Sequence, residues 1–334
     1  MATFIGSNTV NDVAATRGGI ENDIILGLGG SDILYGGAGA DQMFGSNGND
    51  VFSYEQSGEA GGHGKFDFID GGSGIDRIDV FDSIELQNAT FQSIEAINYR
   101  EAGVDQIFVT IQANQIGTNL IATNAQIDGS AAIDVLQINM GLAVTIDLRS
   151  FNFTSWTPNA SLFSGDRVQI NGDASAEQIR GSLRGDYLEG ADGSDLLAGY
   201  DGNDFLVGGT GNDSLFGGLG NDQMSGSSGV DRFYFNTALN GVTNVDVIND
   251  FAASIDEIYL SRSVFTTIGP NGLLAAGAFR LGANALDATD RIMYNAATGD
   301  LFYDRDGAGG AAKVLFAELD PGLGVTASDF VVFA

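Results

Sequence analysis

The chain has 334 residues, room for two or three domains, and a hydrophobic share of 43% that permits a packed core. Its 44 acidic side chains against 14 basic ones give a formal net charge of -30. That excludes attraction to nucleic acid or an anionic membrane by charge and favours cations. Cysteine is absent, which excludes disulfides, thiolate metal sites and cysteine catalysis.

Acidic excess alone would suit a disordered chain, but disorder needs low hydrophobicity. Here the aspartates alternate with Ile, Leu, Val and Phe, beside 49 glycines and only 3 prolines. A salt-adapted surface would scatter acids over helices, whereas these acids recur at a fixed interval next to glycine.

In chain order, the first residues, MATFIGSN, carry neither a basic segment nor an apolar run, so no N-terminal signal peptide is expected. No stretch is long and apolar enough for a membrane-spanning helix. From Gly18 a nine-residue unit repeats without gaps: GGIENDIIL, GLGGSDILY, GGAGADQMF, GSNGNDVFS. Two further units, GHGKFDFID from Gly62 and GGSGIDRID from Gly71, follow. Residues 80 to 170 lose the glycines but keep short apolar strands such as Gln106 to Ile111 and Ala143 to Leu148. The units return from Gly172: GDASAEQIR, GSLRGDYLE, GADGSDLLA, GYDGNDFLV, GGTGNDSLF, GGLGNDQMS, GSSGVDRFY.

Position six is acidic throughout: Asp23, Asp32, Asp41, Asp50, Asp67, Asp76, Glu177, Asp186, Asp195, Asp204, Asp213, Asp222 and Asp231. Position eight is apolar, as in Ile25, Leu34, Met43, Phe52, Leu188, Leu206 and Phe233. Glycines at positions one, two and four suit a tight turn with positive φ and close backbone approach. The second half of each unit then reads as a short strand with position eight inward and positions seven and nine outward.

Stacking such turns brings carboxylates together. At about 5 Å and an effective dielectric near 20, each pair costs roughly 3 kcal/mol before screening. A counter-ion is needed. An all-oxygen donor set suits a hard cation, and flexible geometry favours calcium over magnesium.

These units resemble the RTX (repeats-in-toxin) family of GGxGxDxUx proteins. The resemblance implies an all-β fold: a parallel β-roll or β-solenoid with calcium-binding nonapeptide turns, plus a β-rich C-terminal cap domain. It implies that two units make one coil, so that each unit stacks on the next but one. Asp23 then pairs with Asp41, and Asp32 with Asp50. Asp186, Asp204 and Asp222 form one ladder, and Asp195, Asp213 and Asp231 the other. The implied calcium ligands are these aspartates and Asp76, completed by backbone carbonyls of turns containing Gly36, Gly37, Gly39, Gly199, Gly202, Gly208, Gly209, Gly211, Gly217, Gly218 and Gly220. Several Ca2+ ions are expected. Glu177 is a doubtful ligand, and His63 and Lys65 interrupt the unit that holds Asp67. The expected division is 1–60 (first roll), 61–170 (short pair and metal-poor solenoid), 171–235 (main roll) and 236–334 (cap and secretion signal).

The stretches Asp246 to Phe251 and Asp256 to Ser261 resemble the segment that follows the roll in RTX proteases and lipases, and Asp250 and Asp256 are candidates for an extra ion. The end, Asp329-Phe330-Val331-Val332-Phe333-Ala334, resembles an uncleaved type I secretion signal, while an ordinary cap is the plain alternative. Asp304-Arg305-Asp306-Gly307 begins like an EF-hand loop. Leu315 at the twelfth position and strand-like flanks make it a hairpin turn instead.

The single His63 excludes an HExxH zinc helix, and no GxSxG elbow occurs. Tyr99, Arg100 and Asp105 are the residues a hidden lyase or epimerase would use, with no supporting spacing. The expected function is therefore a non-catalytic, secreted calcium-binding protein of a Gram-negative cell surface, adhesion system or biofilm matrix. Cell-surface polysaccharide or an envelope protein is its expected partner. A carbohydrate-active enzyme and a host-interacting effector are the alternatives. Outward Tyr187, Phe205 and Val207 on one face, and Leu196, Phe216 and Tyr234 on the other, are expected to be covered by residues 236 to 334 or by a partner.

Overall fold

The structure is a computed structural model that describes residues 3–6, 12–14, 21–54, 67–81, 83–86, 89–100, 106–117, 121–129, 133–141, 143, 145–156 and 166–334. His63, Lys65 and Asp105 lie outside the described residues. The described secondary structure is β-strand with three single-turn 3-10 segments, and among the described residues no helix is long and apolar enough to cross a membrane. The four segments set out above fall into two compact units, Met1–Ala143 with Leu148–Gln169, and Val144–Asp147 with Ile170–Ala334.

In the first unit successive strands alternate between sheets. Ile24–Leu26, Gln42–Asn47, Phe68–Ser73 and Thr90–Gln92 stack in parallel on one side. Ile33–Tyr35, Val51–Tyr54, Arg77–Val80, Ile94–Tyr99, Ile121–Asp128 and Asn152–Thr154 stack on the other. A further parallel set joins Ile84–Glu85, Gln106–Gln112 and Ile133–Asn139. Register places position eight on position eight: Ile25 on Met43 on Ile69 on Phe91, and Leu34 on Phe52 on Ile78 on Ile97 on Ile127 on Phe153. These side chains are nearly or fully buried. The coiling therefore persists through the glycine-poor stretch, because inward apolar residues keep their places after the turns have changed.

The second unit repeats the plan. Asp186–Asp192, Phe205–Thr210, Gln223–Ser228 and Asp246–Ile248 form one parallel side. Thr145–Asp147, Gln178–Arg180, Leu196–Asp201, Ser214–Leu219, Arg232–Phe235, Glu257–Ser261 and Phe330–Phe333 form the other. Inside run Leu188, Leu206, Met224 and Ile248 against Ile179, Leu197, Leu215, Phe233, Ile258 and Phe330, all 0% exposed. One inward residue per unit makes a thin core, and only repetition makes it sufficient.

Beyond the roll the strands turn antiparallel. Ile292–Tyr294, Asp300–Tyr303 and Val314–Glu318 form a meander whose last strand runs parallel to Asp246–Ile248. The Asp304 segment is the hairpin connection within it: the Asp304 carboxylate accepts the N–H groups of Asp306 and Gly307. The tail strand Phe330–Phe333 is built into the sheet, with Phe330 and Val332 buried.

The outward aromatics form rows. Tyr187 stacks on Phe205 with centroids 5.3 Å apart, and Phe216 on Tyr234 at 4.1 Å. Residues 236 to 334 pack on the end of the second row: Tyr259 lies 4.7 Å and Phe333 5.6 Å from Tyr234. All six rings are half-buried. Parallel register puts like positions side by side, so each ring is covered mainly by the next ring of its own row.

Candidate metal centre

Each position-six carboxylate lies at the end of its turn, where the strand begins, and points inward. Asp23, Asp32, Asp41, Asp50, Asp67 and Asp76, and Asp186, Asp195, Asp204, Asp213, Asp222 and Asp231, are between 0% and 5% exposed. Their two oxygens have different fates. Oδ1 accepts the backbone N–H of the aspartate one coil earlier. Asp23 thus donates to Asp41, Asp32 to Asp50, Asp186 to Asp204, Asp195 to Asp213, each at 2.8 Å. Asp204 donates to Asp222 and Asp213 to Asp231 at 2.9 Å. The pairing of every second unit is thereby the one the repeat implied.

The same rows run past the expected ligands. Asp41 donates to Asp67, Asp50 to Asp76, Asp76 to Glu95, Asp222 to Asp246 and Asp231 to Asp256. Glu177 opens one row by donating its N–H to Asp195 at 2.7 Å. Asp186 opens the other, and there the protein closes the carboxylate itself: Ser182 donates its N–H to Oδ2 and its hydroxyl to Oδ1. Tyr54 likewise donates to Asp67 Oδ2 at 2.9 Å.

Oδ2 is the informative atom. In Asp50, Asp76, Asp195, Asp204, Asp213 and Asp222 it is buried and receives no N–H or hydroxyl. A buried acceptor without a donor costs about 1–3 kcal/mol, and more when charged. Burial accordingly pushes the carboxyls up, to about 6 in Asp213 and Asp76 and to about 7 in Asp222, Asp186 and Glu177. Asp204 is raised well above the usual carboxylate range, by burial first and then by the charges of Asp186 and Asp222. Carboxylates so arranged are completed by a proton or by a cation.

The glycines make this geometry possible, by position. At position one the reason is space: a Cβ on Gly208 would come 2.3 Å from Asp213 Oδ2, and one on Gly199 2.1 Å from Asp204 Oδ2. Gly36 and Gly217 stand in the same relation to Asp41 and Asp222. At position four the backbone has positive φ, 134° in Gly211 and 139° in Gly220, and a Cβ on Gly211 would lie 1.3 Å from the carbonyl oxygen of Gly193. Gly39 and Gly202 are alike. Position two needs positive φ as well, supplied by Gly37, Gly209 and Gly218 but also by Leu28, Ser46, Ala191, Tyr200 and Ser227.

Position-four carbonyls of one turn thus face the next turn in the stack. Among the described residues no three acidic or imidazole side chains converge on a point. Each gap offers a carboxylate from two coils, so the further donors to an ion are main-chain carbonyls. An all-oxygen shell of this kind fits calcium.

A second ladder was not foreseen in the sequence. Position-five side chains accept the N–H of position five one coil later: Ser194 from Asn212, Asn203 from Asn221, Asn212 from Val230 and Asn221 from Val245. Asn22, Ser31 and Asn49 do the same in the first unit. The signal was the recurrence of Asn or Ser before the aspartate. Asp246 was missed as a row member because its turn, GVTNVDVIN from Gly241, stands six residues out of phase with the repeats and has lost all but one glycine.

Asp250 and Asp256 serve the backbone. Asp250 accepts from Gly226 N–H, Ser227 N–H and Ser225 Oγ, and Asp256 from Asp231 N–H and Ala252 N–H. Of the three residues considered for catalysis, Asp105 lies outside the described residues. Tyr99 is 2% exposed, edge-on to Trp156, and Arg100 pairs with Asp79 at 3.2 Å.

A family model described as the RTX calcium-binding nonapeptide repeat (4 copies) matches residues 17–52, 171–206 and 198–233. The repeats of that family bind Ca2+. No curated protein matches the chain. Among solved structures, the extracellular lipase LipA from Serratia marcescens is similar over 96% of this chain and 42% of its own, at 18% identity and a TM-score of 0.22. The chain spans less than half the length of that lipase.

Proposed function

We propose that this is a secreted calcium-binding protein whose rolls fold when they meet calcium outside a Gram-negative cell, and that it acts without catalysis in adhesion, a biofilm matrix or a surface layer. The supporting observation is the row of buried Oδ2 atoms at Asp195, Asp204, Asp213 and Asp222 that no N–H or hydroxyl reaches. Extracellular modules bind calcium at roughly 0.1–1 mM, far above its free level in cytoplasm. The chain stays open inside the cell and is exported in that state. Outside, metal affinity becomes folding free energy. Type I secretion accords with this order of events. The tail strand Phe330–Phe333 is buried in the folded sheet, so an exporter reads it only before folding.

Circular dichroism at low salt with and without chelator tests the switch: β-structure is expected with calcium and lost without it, and full β-structure in excess chelator would overturn it. A pull-down of the calcium-loaded protein from envelope proteins and surface polysaccharides tests the surface role. Turnover of a polysaccharide by the purified chain would replace the non-catalytic reading.

A further inference from the structure

We propose that the calcium row on the Asp186–Asp204–Asp222 side extends one step past the repeats, with an ion held between Asp222 and Asp246, while the opposite row ends at Asp231 without one. The inference rests on the calcium reading above and adds a site outside the residues that match the repeat family, which stop at 233.

Asp246 occupies position six of a unit that has changed nearly everything else. Gly241 keeps position one and Ile248 the buried position eight, with Ile248 in register with Met224. At position four Asn244 replaces glycine, and its side chain accepts the Gly220 N–H at 2.9 Å, tying this turn to the last glycine turn. Asp246 Oδ1 accepts the Asp222 N–H at 3.1 Å, the bond that joins every earlier pair in the row. Asp246 is 4% exposed and Asp222 0%. Asp222 Oδ2, fully buried, receives no N–H or hydroxyl, and the group within hydrogen-bonding reach of the Asp222 carboxyl is the Asp246 carboxyl. Two buried carboxylates meet at this gap, as they do between Asp204 and Asp222. The difference is that one of the two turns carries Asn244 where the repeats carry glycine.

The other side is built differently at the same level. Asp256 also receives its row bond, from Asp231 N–H at 3.1 Å, but its second oxygen is taken by Ala252 N–H at 2.8 Å. Neighbouring Asp250 is fully engaged by Ser225, Gly226 and Ser227. Here the backbone supplies what a cation supplies elsewhere. Charge is neutralised by metal on one edge of the last coil and by N–H groups on the other.

Native mass spectrometry of the full chain through a calcium titration reads the number of ions directly. Asp246→Asn keeps the Oδ1 acceptor and removes the charge, so it should bind one ion fewer than the parent, whereas Asp256→Asn should bind the same number. Asp213→Asn, within the repeats, is the control and should bind fewer. An unchanged count in Asp246→Asn with a loss in Asp213→Asn overturns the added site and leaves the calcium reading standing. No loss in Asp213→Asn overturns the calcium reading itself. A loss in Asp256→Asn overturns the asymmetry. If Asp246→Asn does not fold, terbium-loaded crystals of the parent decide: an anomalous peak between Asp222 and Asp246 is expected, and its absence beside a peak between Asp204 and Asp222 overturns the proposal.

Discussion

An aspartate at position six divides its labour between two oxygens, one fastening coil to coil and one left for an ion. Losing the side chain removes both. Asp204→Ala or Asp213→Ala should therefore weaken calcium binding far more than Asp79→Ala, measurable by isothermal titration, because Asp79 at position nine is already paired with Arg77 and Arg100. The raised carboxyls give a pH dependence of definite sign. Their ordinary value is about 3.9, so between that and the raised values the folded, metal-free chain binds more protons than the unfolded one. Metal-free stability is therefore greatest at low pH and is lost as pH rises through about 6 to 7, the range of Asp213 and Asp222. Circular dichroism of dialysed protein should show more residual β-structure at pH 5 than at pH 8. The same protonation should weaken calcium binding in acid. Steric limits are equally local: Gly211→Ala drives a Cβ into the Gly193 carbonyl and should abolish folding of the roll even in saturating calcium, as read by circular dichroism.

At the scale of the strand and turn, the period was enough to place the inward residues. Leu188, Leu206 and Met224 carry the core of their side of the roll, and Leu206→Ala should cost about 2–5 kcal/mol in a calcium-saturated urea melt. The aspartate pairing came from the resemblance to the RTX repeats, which implies two units per coil, and not from the period itself. The asparagine ladder was not, because nothing in a single unit says that Asn212 will meet the N–H of Val230. Asn212→Ala should cost about 1 kcal/mol without changing the number of bound ions. The extension to Asp246 was hidden for a related reason: its turn is shaped by the Asn244 side chain in place of a glycine. The cap meets the roll's outward aromatics on one side, at Tyr234. Tyr259 and Phe333 carry the aromatic row onward because the strands bearing them pair in register with those already there.

For the whole molecule, the charge of -30 and the buried carboxylates oppose compaction together. Removing calcium should unfold the rolls, and sodium chloride at about 1 M, where the Debye length is near 3 Å, should restore part of the β-structure by screening. Restoration should stay incomplete, since screening does not supply donors to the buried Oδ2 atoms.

The two side-chain ladders point in opposite directions. Aspartate reaches back to the coil before it, and asparagine or serine reaches forward to the coil after it. The turns that hold Asn212 and Asn221 are thus recognised from both neighbouring coils by the same chemistry, and a pair of units added or deleted among them leaves both neighbours with the partner they had. A gene built this way can lengthen or shorten by recombination in whole coils while its product still folds. An odd number of units instead hands each later strand to the opposite sheet. Inherited size variation should therefore come in steps of two.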